Sequence, residues 1–316
     1  ISATGLAGSV SQLGKNLIQN GAMTVAQRGT VTGMGAAAAY SLDRWEVRVG
    51  TGSEQGRFTI SQETSSVPAG HKTAMKIDCT TAESAVAAGE YLPILQKIEG
   101  LNATNLKWGT ADAVSLACSF WFKSPKTGIH TVALWFPDGN RSQPKEFTIA
   151  VADTWEQFSV VFSGDTGGTA IPYDVTEAFR LAFPLTVGST GQGTADTWAS
   201  GVLYGTSNSQ NLLDNTANNI YITGVQLEVG SVATDFEHEP ISVTLAKCLR
   251  LYERIYGRAF GSGTVQTTTY AIAYLPFSVR KASAPSFAIG TAANFTVRHG
   301  STTVAATAAA LDVTGL

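Results

Sequence analysis

The sequence predicts an all-β fold: an antiparallel two-sheet sandwich followed by one helix and a small C-terminal β region. Three observations carry that expectation. Short runs rich in β-branched and aromatic residues follow one another from Tyr40 to Val229. Gly, Asn, Asp, Ser and Pro fill the gaps, as in Thr51-Gly52-Ser53, Pro137-Asp138-Gly139-Asn140 and Gly164-Asp165-Thr166-Gly167-Gly168. Helical spacing of apolar residues enters only after Pro240. Strands that succeed one another without helices pair antiparallel, because a parallel pair needs a long crossover.

Taken in order, residues 1–19 are rich in Gly, Ser and Ala and read as a linker or arm that orders only against a neighbour. Residues 20–239 form the sandwich. Its strands are expected at Tyr40–Val49, Arg57–Glu63, Thr73–Cys79, Tyr91–Ile98, Val114–Lys123, Thr131–Phe136, Phe147–Val151, Phe158–Phe162, Phe179–Val187 and Ile220–Val229. Alternation sorts their faces. Phe120 and Phe122 share one side with Trp121 opposite, and Leu134 and Phe136 share one side with Ala133 and Trp135 opposite. One side of each pair is core; the other places an aromatic ring on an outer face or under a covering loop.

Residues 240–260 switch to a helix of about four turns, with Ser242 as N-cap and Lys247, Arg250, Arg254 and Arg258 where the helix dipole favours positive charge. One apolar stripe, Cys248, Leu251 and Ile255, can face its own domain. The other, Leu245, Leu249, Tyr252 and Tyr256, is left for a second subunit. Residues 261–316 hold further β runs at Val265–Phe277, Phe287–Ile289 and Phe295–Arg298. The Ala- and Thr-rich Ser301–Leu316 is too simple to close a core alone, so strands of other chains or residues beyond Leu316 are expected to complete it.

Composition narrows the function classes. Of 316 residues, 44% are apolar, enough for a real core, while 14% are charged against roughly 25% in an ordinary soluble domain. The surface is therefore largely hydroxyl, amide and glycine, as suits an extracellular or virion β protein. A net charge of −3 with no basic block leaves no electrostatic footprint for nucleic acid. No apolar run approaches the roughly 18 residues of a membrane-spanning helix, so no membrane insertion is expected. The start lacks a signal-peptide pattern, and its opening Ile fits a fragment or a processed product. Cys79, Cys118 and Cys248 are far apart without C-x-x-C spacing, and read as buried free thiols.

Catalytic motifs are sparse. His71, His130, His238 and His299 are scattered, and Glu237-His238-Glu239-Pro240 lacks the second His of a zinc-protease helix, so His238 reads as a polar turn residue. No G-x-S-x-G elbow occurs. Gly50–Gly56 lacks the lysine and the helix of a phosphate loop, and reads as a hairpin. Asp43, Glu46, Asp112, Glu146, Asp153 and Asp196 are available for a glycosidase pair, but nothing in the sequence pairs them. Asp43 reads as bonding turn amides or pairing with Arg44, with a calcium ligand as the lesser alternative. No cofactor is expected, structural calcium being the one open possibility. The candidate ligand contacts are Trp108, Trp135 and Trp198, flanked by turn or polar residues, together with Gln226 and Glu228 on one face of the last strand. The same tryptophans can pack between sheets, and the same polar pair can face solvent.

The stretch Asn16-Leu17-Ile18-Gln19-Asn20-Gly21-Ala22-Met23-Thr24-Val25-Ala26-Gln27-Arg28-Gly29, followed by Leu42-Asp43-Arg44-Trp45, resembles the start of a jelly-roll module of tailed-phage tail fibres and other virion proteins. Tyr91–Glu99, Ser119–Lys123, Thr154–Phe158, Val225–Glu237 and the trailing Ala246–Tyr252 continue the resemblance, which covers about residues 16–300. It implies a jelly roll related to carbohydrate-binding modules, a virion location and a homotrimer, and names no ligand. Three functional readings stay open: a tail fibre or receptor-binding protein that attaches to host surface carbohydrate, a decoration or assembly protein without glycan binding, and a polysaccharide depolymerase.

Overall fold

The computed structural model describes residues 14–255, 263–265, 271–273, 276–286, 296–299 and 302–305. Its contacts divide the chain into two units, 1–245 and 246–316. The first is an antiparallel jelly-roll sandwich. One sheet, A, runs in the order β1 (Val31–Met34), β4 (Arg57–Glu63), β5 (Ala74–Thr81), β13 (Asn219–Val229), β7 (Leu116–Lys123), β10 (Glu156–Phe162). The other, B, runs β12 (Ala199–Ser200), β9 (Arg141–Ile149), β8 (Gly128–Phe136), β11 (Glu177–Val187), β6 (Tyr91–Glu99), β3 (Glu46–Val47), β2 (Ala39–Tyr40).

The period-2 pattern decides which side chains meet between the sheets. Phe120 and Phe122 of β7 point inward against Phe147, with Phe120 also edge-on to Phe183 of β11 at 5.0 Å. Leu134 and Phe136 of β8 join the same core, while Trp121 and Trp135 take the outer faces, as alternation requires.

Several boundaries differ from expectation. Tyr40–Val49 is split into β2 and β3 by the turn at Leu42–Trp45, where Arg44 takes φ 75° and its guanidinium donates to the Lys97 carbonyl at 2.9 Å. The strand expected from Phe147 begins at Arg141, because its pairing with β8 extends to Phe136. Residues 14–19, expected in a linker or arm that orders only against a neighbour, lie on this chain's own sandwich: the Leu17 amide donates to Leu227 O at 2.8 Å, and Asn16 Oδ1 accepts from the Leu227 amide at 3.0 Å. Asn20, at φ 57°, then bonds the Val25 amide, the Val25 carbonyl and the Asp43 carbonyl, each at 2.9 Å, which fixes the turn that opens the module.

The helix α1 spans Ile241–Leu249, shorter than the four turns expected. Beyond it, Lys281 donates to Leu249 O at 2.6 Å and pairs with Glu253, and the Ala282 amide donates to Arg250 O at 3.1 Å. These bonds take up carbonyls that the helix end leaves without intrahelical partners. Two short hairpins follow, β14 (Gly263–Val265) with β15 (Ala271–Ala273) and β16 (Thr296–His299) with β17 (Thr302–Ala305). Phe287–Ile289 and Tyr256, singled out in the sequence, lie outside the described residues, as do residues 1–13. Cys79, Cys118 and Cys248 are buried and form no disulfide.

Candidate functional site

The outer face of sheet B carries Ala133 and Trp135 of β8, Arg180 and Ala182 of β11, and Leu95 and Lys97 of β6. Register sets Arg180 beside both Trp135 and Lys97. The chain covers much of this face itself. Residues 201–210 cross it, fastened by Ser142 Oγ to Gly201 O at 2.5 Å, the Leu203 amide to Ser142 Oγ at 2.9 Å, Thr206 Oγ1 to Glu146 at 2.6 Å and the Gln210 amide to Ile129 O at 3.0 Å. Tyr204 is buried over Leu95, Ala133 and Ala182, and burial pushes its phenol up to about 12. Trp135 sits at the margin of this strap. The Arg180 guanidinium lies 4.2 Å from its ring centroid, held there by Glu177, and the indole N–H is buried without a partner.

Of the other four candidate ligand contacts, Trp108, Gln226 and Glu228 are buried and Trp198 is half-buried. Trp108 is wholly buried between Phe136, Phe179 and Trp198, and its Nε1 donates to Val114 O at 2.9 Å, so no ring surface is left for a ligand. Trp198 caps Trp108 edge-on at 5.3 Å and donates to Ser163 O at 2.8 Å. Gln226 and Glu228 are buried under the tail that leaves the sandwich. Glu228 accepts from the Thr234 amide at 2.7 Å, its hydroxyl at 2.8 Å and Gln226 Nε2 at 2.8 Å, while Gln226 Oε1 accepts from the Glu237 amide at 2.8 Å. They hold this chain's own backbone, and open no groove.

Of the carboxylates considered for catalysis, Asp43, Glu46, Glu146 and Asp196 are engaged. Asp43 accepts from the Gln27 amide and from its side chain, each at 2.7 Å, which gives it the turn-bonding role; Glu46 pairs with Lys97 at 2.7 Å and Arg48 at 2.9 Å; Asp196 pairs with Lys145 at 2.6 Å. No group of three His, Cys, Asp or Glu suited to a metal ion occurs among the described residues.

Sheet A offers the more open arrangement. Its outer face keeps Tyr221 of β13 between Lys76 of β5 and Lys123 of β7, and Trp121 beside Thr223 and Gln157. Trp155, from the turn before β10, stands edge-on to Tyr221 with ring centroids 6.1 Å apart. Two bonds to one loop residue hold the group in place before any ligand arrives: Trp155 Nε1 donates to Ser66 O at 3.2 Å and Lys123 Nζ to Ser66 Oγ at 3.0 Å. Lys123 also lies 4.5 Å from the Tyr221 ring centroid. Trp121, Trp155 and Tyr221 are all half-buried, so each presents ring surface to solvent beside the exposed amide of Gln157. This ledge was missed as a site in the sequence. Alternation puts Trp121 opposite Phe120 and Phe122, but only the fold brings residues 66, 123, 155 and 221 together.

No protein-family profile matches the chain, and no curated protein matches it in sequence. Among solved structures it is similar to the enzymatically active domain of tailspike protein 4 of bacteriophage CBA120, with TM-score 0.35 and 12% identity over 68% of this chain and 22% of that one. It is also similar to the TmCBM61 module in complex with β-1,4-galactotriose, with TM-score 0.32 and 11% identity over 68% of this chain and 99% of that one. A third is the family 11 carbohydrate-binding module of the cellulosomal cellulase Lic26A-Cel5E of Clostridium thermocellum, with TM-score 0.31 and 12% identity over 66% and 98%. The chain spans about a fifth of the tailspike domain it matches. Likenesses this distant carry no assignment of ligand or activity.

Proposed function

We propose that this chain is a virion protein of a tailed phage, a tail fibre or receptor-binding protein that attaches to host surface glycan without cleaving it. The observation that carries the binding half is the sheet A ledge of Trp155, Tyr221 and Trp121. Flat rings held in fixed orientation stack on the apolar faces of sugars, and Gln157, Lys76 and Lys123 supply hydrogen bonds at the rim. The virion half rests on the resemblance at Asn16–Gly29 and Leu42–Trp45 and on a surface poor in charge. A homotrimer about α1 completes the reading. Ile241, Val243 and Leu245 are exposed in the single chain, and three weak sugar sites on one particle gain avidity through effective concentration.

The test is a glycan array and a host-cell adsorption assay on wild type, Trp155→Ala, Tyr221→Ala and Trp135→Ala. Retention should fall in the first two variants and persist in the third. Absence of binding by trimeric wild type would leave an assembly or decoration role, and glycan turnover would make the chain a depolymerase.

A further inference from the structure

Beside the ledge, the tail that leaves the sandwich is held by a group that the proposed function does not use. His71, Phe236 and His238 form a closed triangle of rings. Centroids lie 5.1 Å apart for His71 and Phe236, 5.0 Å for Phe236 and His238, and 5.6 Å for the two histidines. His71 comes from the turn before β5, and Phe236 and His238 from the tail. His71 is 8% exposed, and its Nδ1 is buried with no hydrogen-bond partner. Its ring rests on Gly224, where φ is +60° and a Cβ would come within 2.6 Å of His71 Cε1. The imidazole is thus packed as an apolar ring. A second proton would put a cation in that space against the other imidazole, with a buried N–H that meets no acceptor.

We propose that residues 231–240 are an acid-released tether, detached from sheet A when the His71 ring, packed against Phe236 and His238, takes up a proton. Glu237, Glu239 and Glu228 on the surrounding elements keep their charge but accept from donors other than His71, whose Nδ1 meets none of them. On the tail, Glu237 is committed to the Asn16 amide at 3.1 Å and to the Gly14 amide, and Glu239 accepts from Thr244 at 2.8 Å. On β13, Glu228 is spent on Thr234 and Gln226, with Lys15 at 3.8 Å. Lys15 also donates to Asp235 O, Lys123 of β7 is turned to Ser66, and Lys72, next to His71, adds positive charge. Burial, and then the neighbouring His238, hold His71 down at about 4 against an ordinary 6.5.

A base whose docked value is depressed binds more protons when released, so docking is strongest above the free value and weakens as pH falls from about 6.5 toward 4. Between pH 7 and pH 5, above the ordinary carboxylate range, the opening equilibrium should rise roughly 20-fold. The inference does not depend on what the ledge binds.

Hydrogen–deuterium exchange of the full chain, corrected for the intrinsic pH dependence of exchange, reads that ratio at the Thr234 and Glu237 amides. Wild type should show the roughly 20-fold rise from pH 7 to pH 5, with amides of β8 and β11 unchanged. His71→Phe keeps a ring in the space and removes the proton site, and should flatten the dependence; His238→Asn should reduce it. A flat wild-type profile overturns the proposal, as does an equal rise in a folded His71→Phe variant.

Discussion

Replacing Trp108 by alanine separates a core residue from a ligand contact. The indole is enclosed by Phe136, Phe179 and Trp198 with centroids at 6.1, 5.0 and 5.3 Å, and its N–H holds the Val114 carbonyl. Removing a buried ring of this size costs about 3–5 kcal/mol in lost transfer energy and residual cavity. Leaving Val114 O without its donor adds about 1 kcal/mol. The total, roughly 4–6 kcal/mol, is a large share of the ~5–15 kcal/mol that holds a domain together. Urea unfolding followed by far-UV circular dichroism should show the sandwich transition at a much lower midpoint with an unchanged slope. Trp108→Phe, which keeps a ring and loses the hydrogen bond, should cost roughly half as much. A loss under about 1 kcal/mol would refute the packing argument. So would an unchanged midpoint with lost glycan retention, since that outcome belongs to a residue that touches ligand.

Two further outcomes follow from particular contacts. The Ser65 hydroxyl and the amides of Thr64, Ser65 and Ser66 converge on one oxygen of Glu63 and hold its carboxyl at about 2, against an ordinary 4.5. Its stabilising contribution is complete above 4.5 and disappears as pH falls through 2; carboxyl-carbon NMR should show the Ser65→Ala midpoint higher than wild type, and equal midpoints would refute the assignment. Leu245→Asp places a charge on an exposed position of α1, so it should leave the thermal midpoint of the sandwich in place while lowering the mass in solution from three chains to one, and a monomeric wild type would remove the trimer from the proposal.

The strands and faces of the sandwich were legible because each depends on local alternation. That Phe120 and Phe122 lie opposite Trp121, and Leu134 and Phe136 opposite Trp135, could be read from their neighbours alone; which side is core is decided by the packing of the two sheets. Burial by chain that folds back from outside the strand was not legible. Gln226 and Glu228 have the spacing of a polar strand face, and nothing near them announces that Thr234 and Glu237 return to cover them. Trp108 is flanked by Lys107 and Gly109, which suggests a loop surface, yet Lys107 adopts φ 55° and turns the indole into the core. Tyr221 and Trp155 are 66 positions apart and meet only across strand register, so the ledge had no signature in one sequence.

The bonds between residues 14–16 and the tail have a mechanical meaning. Gly14 is the first described residue, and Glu237, on the tail that follows the last strand of the sandwich, grips the amides of both Gly14 and Asn16. Tension applied between these two points is borne first by the Glu237 contacts and by Lys15 on Asp235 O. The ladders of sheet B lie outside that line of force. In a chain pulled at these two points, the short circuit at Glu237 would carry the load and yield before the strands, and the outer faces of the sandwich would keep their shape while it did so.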